Sequence, residues 1–235
     1  MRRADRRREV KSLLSYAVGC LFGRYSADCG GLVCAGGEPD AAKYRTVMPA
    51  ENNILPIGGE GVFADNITGR VIAFLRAVYG ADTLAENLRF IAETLGGKGT
   101  PQEVLAHYFE NGFYADHCKI YRKCPIYWMF SSGKQHGFQA LVYMHRWQPG
   151  TVGTVCRDYL QAMLPHCRAA LTEAGGITEP DMRKKQQEKL RAQLAELTDY
   201  AQTLQRLAQH EPAIDPDDGV RVNYAKLSGA LEPIG

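Results

Sequence analysis

The helical periodicity of the chain is broken at PIYWMFSSGKQHGFQALVYMHRW, residues 125–147. The first half of this stretch is rich in aromatic, β-branched and bulky side chains, which fit a pleated sheet. Turn-forming residues occupy positions 131–137, and a second strand-like run covers 138–145. The stretch therefore predicts a β-hairpin. Two strands alone bury too little surface, so the hairpin needs a helix or a further strand against one face.

The segments before the hairpin predict helices. Residues 2–21 carry apolar side chains at three- and four-residue intervals, which indicates a basic amphipathic helix. A connection rich in glycine and proline follows, up to Gly61. Three short helices come next. Their predicted boundary residues are Asp65 and Gly80, Thr83 and Gly96, and Thr100, the last with Pro101 and Glu103 in a capping-box pattern.

The segments after the hairpin predict two long helices and a short strand. One helix covers 152–173, a Gly-Gly pair interrupts it, and a second helix covers 179–209 after a cap at Thr178. Apolar residues of the second helix repeat at intervals of four and three, as in a coiled coil, so the two helices are expected to pack antiparallel. The alternating Val220, Val222 and Tyr224 predict a terminal strand.

These patterns predict an α+β fold that is mainly α-helical, with short helices around a β-hairpin, then an antiparallel helical hairpin and a short terminal strand. Three segments are expected. Residues 1–61 form the basic helix and its connection, residues 62–150 the small helical segment with the hairpin, and residues 151–235 the helical hairpin and tail.

The composition is that of an ordinary globular protein, with 45% hydrophobic and 23% charged residues and a net charge of +2. Neither disorder nor an integral membrane protein is indicated. The odd number of cysteines, seven, suggests no disulfide framework and favours a cytoplasmic location. Arginines before an apolar run at 13–23 resemble a secretory signal, but no small-residue cleavage site follows and Arg24 comes at once.

Catalytic motifs are missing from the sequence. Enzymes that modify a base turned out of DNA hold it in a polar, aromatic-backed clamp, in one class of the Asn-Pro-Pro-Tyr type, and the nearest string here is Asp215-Pro216-Asp217. The glycine cluster at 58–61 follows a proline-rich loop and opens no βαβ unit. Histidine and cysteine spacings fit no metal site, and no serine lies in a nucleophile elbow. We therefore expect no catalytic, cofactor-binding or metal-binding residue in this chain.

Cations and aromatic residues alternate between positions 117 and 147 without an acidic residue. Cations contact phosphates and exposed aromatic rings stack on bases, so DNA contact is one interpretation. In the other, the rings fill the core and the cations face solvent. The arginines before Val10 allow the same two interpretations. The candidate DNA-binding residues are Lys119, Arg122, Lys123, Lys134, Arg146, Arg6 and Arg7.

Several strings, in order along the chain, resemble the PglX-like adenine-specific DNA methyltransferases of bacteriophage-exclusion (BREX) systems, in the region that follows the catalytic domain. They are LSYAVGCLFGRYS (14–26), ILPI (54–57), the strings within 121–134, GFQAL (137–141), YMHR (143–146) and DDGVRVNYAK (217–226). Ordered matches over nearly the whole chain are more specific than any one motif.

The resemblance implies an enzyme that uses S-adenosylmethionine to methylate one adenine in host DNA within a phage-defence system. The methyl-donor and adenine-clamp motifs of that family lie upstream of the matching region, so no catalytic residue carries over and no cofactor is expected in this chain. The leading hypothesis is a C-terminal accessory part that holds or reads double-stranded DNA for a catalytic domain located elsewhere, in a truncated gene, a split half or a separately encoded part. The alternative is a non-catalytic module that binds other defence-system proteins. No membrane partner is expected.

Overall fold

The computed structural model of the protein describes residues 5–59 and 61–234. Arg2, Arg3 and Glu60, which the sequence places in the basic helix and the glycine cluster, lie outside these ranges. The α-helices are α1 (Arg6–Leu21), α2 (Ile67–Tyr79), α3 (Leu84–Leu95), α4 (Pro101–Asn111), α5 (Phe113–Ile120), α6 (Thr151–Thr154), α7 (Gln161–Glu173), α8 (Pro180–Gln209) and α9 (Gly219–Lys226). The strands are β1 (Ile54–Ile57), β2 (Tyr127–Ser131) and β3 (Gln139–Tyr143). The predicted class, α+β and mainly helical, is confirmed.

The strands form one antiparallel sheet in the order β1-β3-β2. β2 and β3 are the predicted hairpin, with Trp128 opposite Val142. The further strand that the hairpin required is β1, in which Leu55 lies opposite Leu141. It occurs within the connection that the sequence suggested was irregular. β1 also contains Pro56, which has no amide hydrogen to donate to a neighbouring strand. Proline is tolerated here because β1 is an edge strand and needs no second neighbour.

The glycines at 58 and 59 follow strand β1 directly, so the expectation that they follow a loop is wrong. The sheet around them is nevertheless antiparallel, without the βαβ unit of a dinucleotide site. Both glycines have positive φ, and a Cβ at Gly59 would lie 2.6 Å from the Phe63 ring. Close packing in a left-handed turn therefore explains the choice of glycine at this position.

Both faces of the sheet are covered, because every residue of the three strands is buried. On one face, the ring of Tyr127 stacks on Phe22 beyond the end of α1, with 4.9 Å between centroids. On the other, Trp128 contacts Trp147 and Tyr224. The sheet is thus the centre of the hydrophobic core, and α1 and the C-terminal segment lie against its two faces.

Helix ends follow local capping chemistry, with two corrections to the predictions. Thr100 and Glu103 form the predicted capping box at the start of α4. α2 is capped by Asn66, whose side chain accepts from the amide of Gly69, and not by Asp65. Thr83 precedes α3, but its hydroxyl donates backwards to Tyr79 and leaves the amides of α3 without a side-chain cap.

The predicted helical hairpin is present. α6 and α7 form one rod joined by a π-helical stretch, Val155–Leu160, and α8 packs along it. Glu211, beyond the end of α8, accepts from the amides of Gly150 and Val152 at the start of α6, so the rods run antiparallel. Thr178 is not the cap of α8, since Glu179 occupies the N-cap position without a side-chain hydrogen bond.

The predicted terminal strand is wrong, because residues 219–226 form helix α9. The buried side chain of Asn223 accepts from the amide of Asp215 and donates to the carbonyl of Gly219, 3.1 and 3.0 Å apart. These bonds tie the helix to the turn before it. Val222 is 52% exposed, and the hydroxyl of Tyr224 lies 2.8 Å from that of Tyr114 on α5. The alternation of apolar residues is therefore not matched by alternating burial.

Candidate nucleic-acid interface

A tight turn after α5 presents two exposed cations. The amide of Lys123 donates to the carbonyl of Cys118, 2.8 Å away, and closes the helix. Arg122 and Lys123 both have positive φ, 50° and 63°, a backbone conformation that side chains other than glycine rarely adopt. Each such residue costs roughly 1–3 kcal/mol, so the rest of the structure holds this turn in place.

His117 fixes the turn to the sheet. Its Nε2 accepts from the amides of Ile126 and Tyr127, at 3.2 and 3.1 Å, and its ring stacks on that of Tyr127. Burial, and after it the charge of Arg24, lowers the pKa of His117 from 6.5 to about 3. The imidazole is therefore neutral and structural, and its Nε2 is not available to a metal ion.

A cleft of about 830 Å³ lies beside this turn. Lys119, Arg122 and Lys123 line it, together with the last turns of α5, and the sheet contributes Met129 and Gln139. The remaining lining includes residues 232–233 and His136 from the β2–β3 turn. Glu110 and Glu232 also line the cleft, so its lining contains both cations and carboxylates.

A second depression of about 360 Å³ adjoins the first, because Lys119 lines both. It also contains Arg7 and Lys11 from α1. Lys11 forms an ion pair of 2.5 Å with Asp116. The other N-terminal candidate, Arg6, is exposed and lies over the Phe90 ring, 5.2 Å from its centroid. Four candidate cations from distant parts of the sequence, Arg7, Lys119, Arg122 and Lys123, thus lie on adjoining surfaces.

A third depression adds a cation that the sequence did not suggest. Lys123 and Arg221 both line a cleft of about 500 Å³ at α9. Arg221 is exposed. Arg221 was not among the predicted candidates, because the sequence suggested a strand at this position. The local sequence around residue 221 also does not indicate that it lies beside residue 123. The run DDGVR, which begins a helix, was the available clue.

Lys134 and Arg146 lie apart from these cations. Lys134 is exposed on the β2–β3 turn, where Glu196 of α8 accepts from Ser132 Oγ and the amide of Gln135, both at 2.8 Å. Arg146 is only 3% exposed. Its guanidinium donates to the carbonyls of Phe22, Ala50 and Glu51 and lies 3.4 Å from the Glu38 carboxylate. Arg146 therefore ties the connection before β1 to the core, and the structure removes it from the DNA-binding candidates.

The aromatic residues of this stretch belong to the core. Tyr127, Trp128, Phe130, Phe138 and Tyr143 are at most 2% exposed, which leaves no ring face for a base. Base stacking by these residues is therefore wrong. The lysines and Arg122 remain exposed, so the stretch divides into a packed aromatic interior and a basic exterior.

No group of three histidine, cysteine, aspartate or glutamate residues within 5–59 and 61–234 has the arrangement of a metal site. In the same part of the chain, no helix combines the length and the apolar character needed to cross a bilayer.

Two known proteins that are similar to this chain are adenine-specific methyltransferases. The chain is 36% identical over 237 residues to PglX of Lacticaseibacillus casei, and 39% identical over 247 residues to BrxX of Escherichia coli O9:H4. Each match covers 96% of this chain. The resemblance to PglX-like methyltransferases is confirmed. No family model matches the chain. The chain spans 20% of the length of each of these two relatives, so the likeness concerns one part of a much larger protein.

Proposed function

We propose that this chain is the non-catalytic, DNA-holding part of an adenine-specific DNA methyltransferase of a phage-defence (BREX) system. Similarity to PglX and BrxX over nearly the whole chain supports the family, and the short share of the relatives supports a part rather than a complete enzyme. The catalytic domain, which would bind S-adenosylmethionine and hold the target adenine, lies in a separate part of the protein or in a partner chain.

The observation that carries the proposal is the surface formed by Arg7, Lys119, Arg122 and Lys123, hereafter the basic face. Two segments that are distant in sequence contribute to it, and all four side chains are exposed. Cations in such an arrangement neutralise successive phosphates of a duplex and release condensed counterions. Contacts of this kind position a protein on DNA without reading its sequence.

The proposal is tested by fluorescence anisotropy of a labelled duplex with the purified chain, titrated from about 50 to 200 mM salt. Binding should be weak and should fall steeply with salt. The double variant Lys119→Glu and Lys123→Glu should weaken binding to all sequences alike. It should also reduce the salt slope by about 0.9 for each phosphate that the protein no longer neutralises.

The control is Arg76→Glu, since Arg76 is an exposed cation of α2 that lines none of these depressions. It changes net charge by the same amount per site and should leave binding nearly unchanged. Absence of duplex binding at about 50 mM salt, where phosphate contacts are strongest, would refute DNA holding. A module that binds other defence-system proteins would then be the better account.

A further inference from the structure

The cleft beside the α5 turn, called here the α5 cleft, has the size and lining of a small-molecule site. Its volume of about 830 Å³ lies within the usual range for ligand pockets, ~300–1,000 Å³. Met129 and Pro233 provide apolar surface, while Lys119, Arg122 and Lys123, which are close together in sequence, provide positive charge. Such a lining suits a ligand that has a flat apolar part and an anionic group.

Strained backbone is concentrated around the α5 cleft. The non-glycine residues with positive φ in the described ranges are Asn53, Arg122, Lys123 and His136. The last three of these all line the cleft, although they belong to two different turns. Residues held in such conformations cluster at ligand sites, where the surrounding structure maintains a geometry that the local chain disfavours. The imidazole of His136 is exposed and gives the cleft an aromatic ring.

A buried glutamine with an unpaired amide lines the α5 cleft. Gln139 lines both this cleft and a neighbouring cavity of about 230 Å³, is only 3% exposed, and its Nε2 makes no hydrogen bond within the described chain. Its cross-strand partner, Ser131, is also buried and has an unpaired hydroxyl. Buried polar groups are normally satisfied, so the unpaired amide of Gln139 is a donor that a ligand in the cleft could engage. A glutamine side chain offers a donor and an acceptor in one plane, as required to read the edge of a nucleobase.

The charges around the α5 cleft limit the anion to a small one. Glu110 and Glu232 offset part of the positive charge of the three cations. A polyphosphate would bring excess negative charge close to these carboxylates. A single phosphate brings less negative charge near them, and the exocyclic amines of a base are suitable donors to carboxylate or amide oxygens.

We propose that the α5 cleft binds one nucleotide unit, with its monophosphate at Lys119, Arg122 and Lys123 and its base inside, against Gln139 and His136. The inference rests on the proposed DNA-holding function and deepens it. The same chemistry belongs to a free nucleoside monophosphate and to a nucleotide turned out of a DNA strand. The latter requires unstacking of the base, which costs a few kcal/mol. Contacts between the base and a pocket that fits it offset this cost.

The first arm of the test measures free ligands. The full chain is titrated by NMR or calorimetry with each deoxynucleoside monophosphate, and separately with inorganic phosphate and the matching nucleosides. At least one monophosphate should bind about tenfold more tightly than phosphate or its nucleoside, because base and phosphate are held together. Gln139→Met should weaken that binding about tenfold, as expected when one hydrogen bond is removed. Gln135→Met, at an exposed glutamine outside the cleft, is the matched control.

The second arm detects a nucleotide turned out of DNA. A duplex that carries one 2-aminopurine becomes more fluorescent when that base unstacks, and addition of the chain should raise the signal if the cleft takes its ligand from DNA. Gln139→Met should abolish the rise, whereas the salt dependence of duplex binding, which comes from the phosphate contacts, should persist. A response in the free-ligand arm alone would instead assign the cleft to a free nucleotide.

The outcomes separate the two proposals. The α5 cleft proposal is overturned if no monophosphate binds better than phosphate and no unstacking signal appears, even when the duplex binds with the expected salt dependence. It is also overturned if Gln139→Met and Gln135→Met behave alike. Loss of duplex binding together with both ligand responses would refute the DNA-holding function as well. The double variant Lys119→Glu and Lys123→Glu should also weaken monophosphate binding. Both lysines are exposed, so this measurement does not depend on a substitution in the core.

Discussion

At the scale of single residues, His117 shows how burial assigns a role to a titratable side chain. Its Nε2 accepts from the backbone amides of Ile126 and Tyr127 at the start of β2, which requires that this nitrogen carry no proton. Burial and the charge of Arg24 lower the pKa of His117 to about 3, against 6.5 in the unfolded chain. Below pH 6.5 the unfolded chain therefore binds a proton that the folded chain does not, and the free energy of unfolding falls as the pH falls.

We expect the stability contributed by neutral His117 to be fully present above pH 6.5 and to be lost as the pH falls from 6.5 towards 3. The loss amounts to at most about 1.4 kcal/mol per pH unit. Urea unfolding at pH 7.5 and 5.5 measures it. His117→Gln keeps an acceptor for the amides but does not titrate, so its free energy of unfolding should change less between the two pH values. An identical change in both proteins would show that His117 is not the group responsible.

The candidate residues illustrate what sequence reveals at this scale. Lys119, Arg122 and Lys123 were predicted as a cluster because they are close in sequence, and the structure keeps them together. Arg146 occurs in the same basic stretch, yet its partners are carbonyls about a hundred residues away. Nothing in the local pattern distinguishes a guanidinium bound to distant carbonyls from an exposed one. For the same reason, the approach of Arg7 to Lys119 was not predictable.

At the scale of secondary-structure elements, α8 packs both on its helical partner and on the sheet. Leu197 is 1% exposed, and its side chain lies against Gly137 of the β2–β3 turn. Cys167 of α7 approaches the carbonyl of Leu190, with 3.6 Å between Sγ and O. The apolar seam of α8 is therefore covered within one chain, and a second copy is not needed to bury it.

Leu197→Ala should lower the free energy of unfolding by about 2–5 kcal/mol, because it removes buried surface and leaves a cavity. The elution volume in size-exclusion chromatography should not change. Thr198→Ala, at the next position on the exposed side of α8, serves as the control and should have an effect below about 1 kcal/mol. A shift of the elution volume in Leu197→Ala alone would indicate that the seam also joins two chains.

Elements with strong local determinants were predictable, and those determined by tertiary contacts were not. The capping box of α4 and the apolar seam of α8 are contained in their own sequences. β1 has only four residues, including a proline, and becomes a strand through pairing with β3. The apolar residues of α9 alternate as they would in a strand. The Asn223 side chain forms hydrogen bonds with residues 215 and 219 that stabilise the helix, and the alternation does not reveal them. The short helix α5, between a glycine and a strained turn, was likewise missed.

At the scale of the whole molecule, the contacts cross the segment boundaries expected from the sequence. β1 from the first segment pairs with β3 from the second. From the third, Ala230 accepts from the amide of Ser131, and the amide of Glu232 donates to Met129, which covers the outer edge of β2. The sheet and the basic face thus combine residues of the first two segments, and the third segment covers the edge of the sheet.

We expect the purified chain neither to bind S-adenosylmethionine at micromolar concentration nor to transfer its methyl group to DNA. The sequence has no adenine clamp, and the glycines at 58 and 59 end an edge strand of an antiparallel sheet. Calorimetry with the methyl donor and tritium transfer to a duplex check the two statements. A catalytic domain supplied by a PglX-like relative is the positive control. Saturable binding of the methyl donor or adenine methylation by the chain alone would contradict the proposal that this chain is the non-catalytic part.

The central strand of the sheet, β3, is also the last of the three to leave the ribosome. Its neighbour β1 is complete at residue 57, but the partner residues 139–142 are synthesised more than eighty residues later. At about 5–20 residues per second, β1 is unpaired for roughly 4–16 seconds of translation. During this interval its apolar side chains are available to chaperones or to other nascent chains. Pro56 has no amide hydrogen to donate, so it restricts mispairing along one edge of β1 while this strand is unpaired.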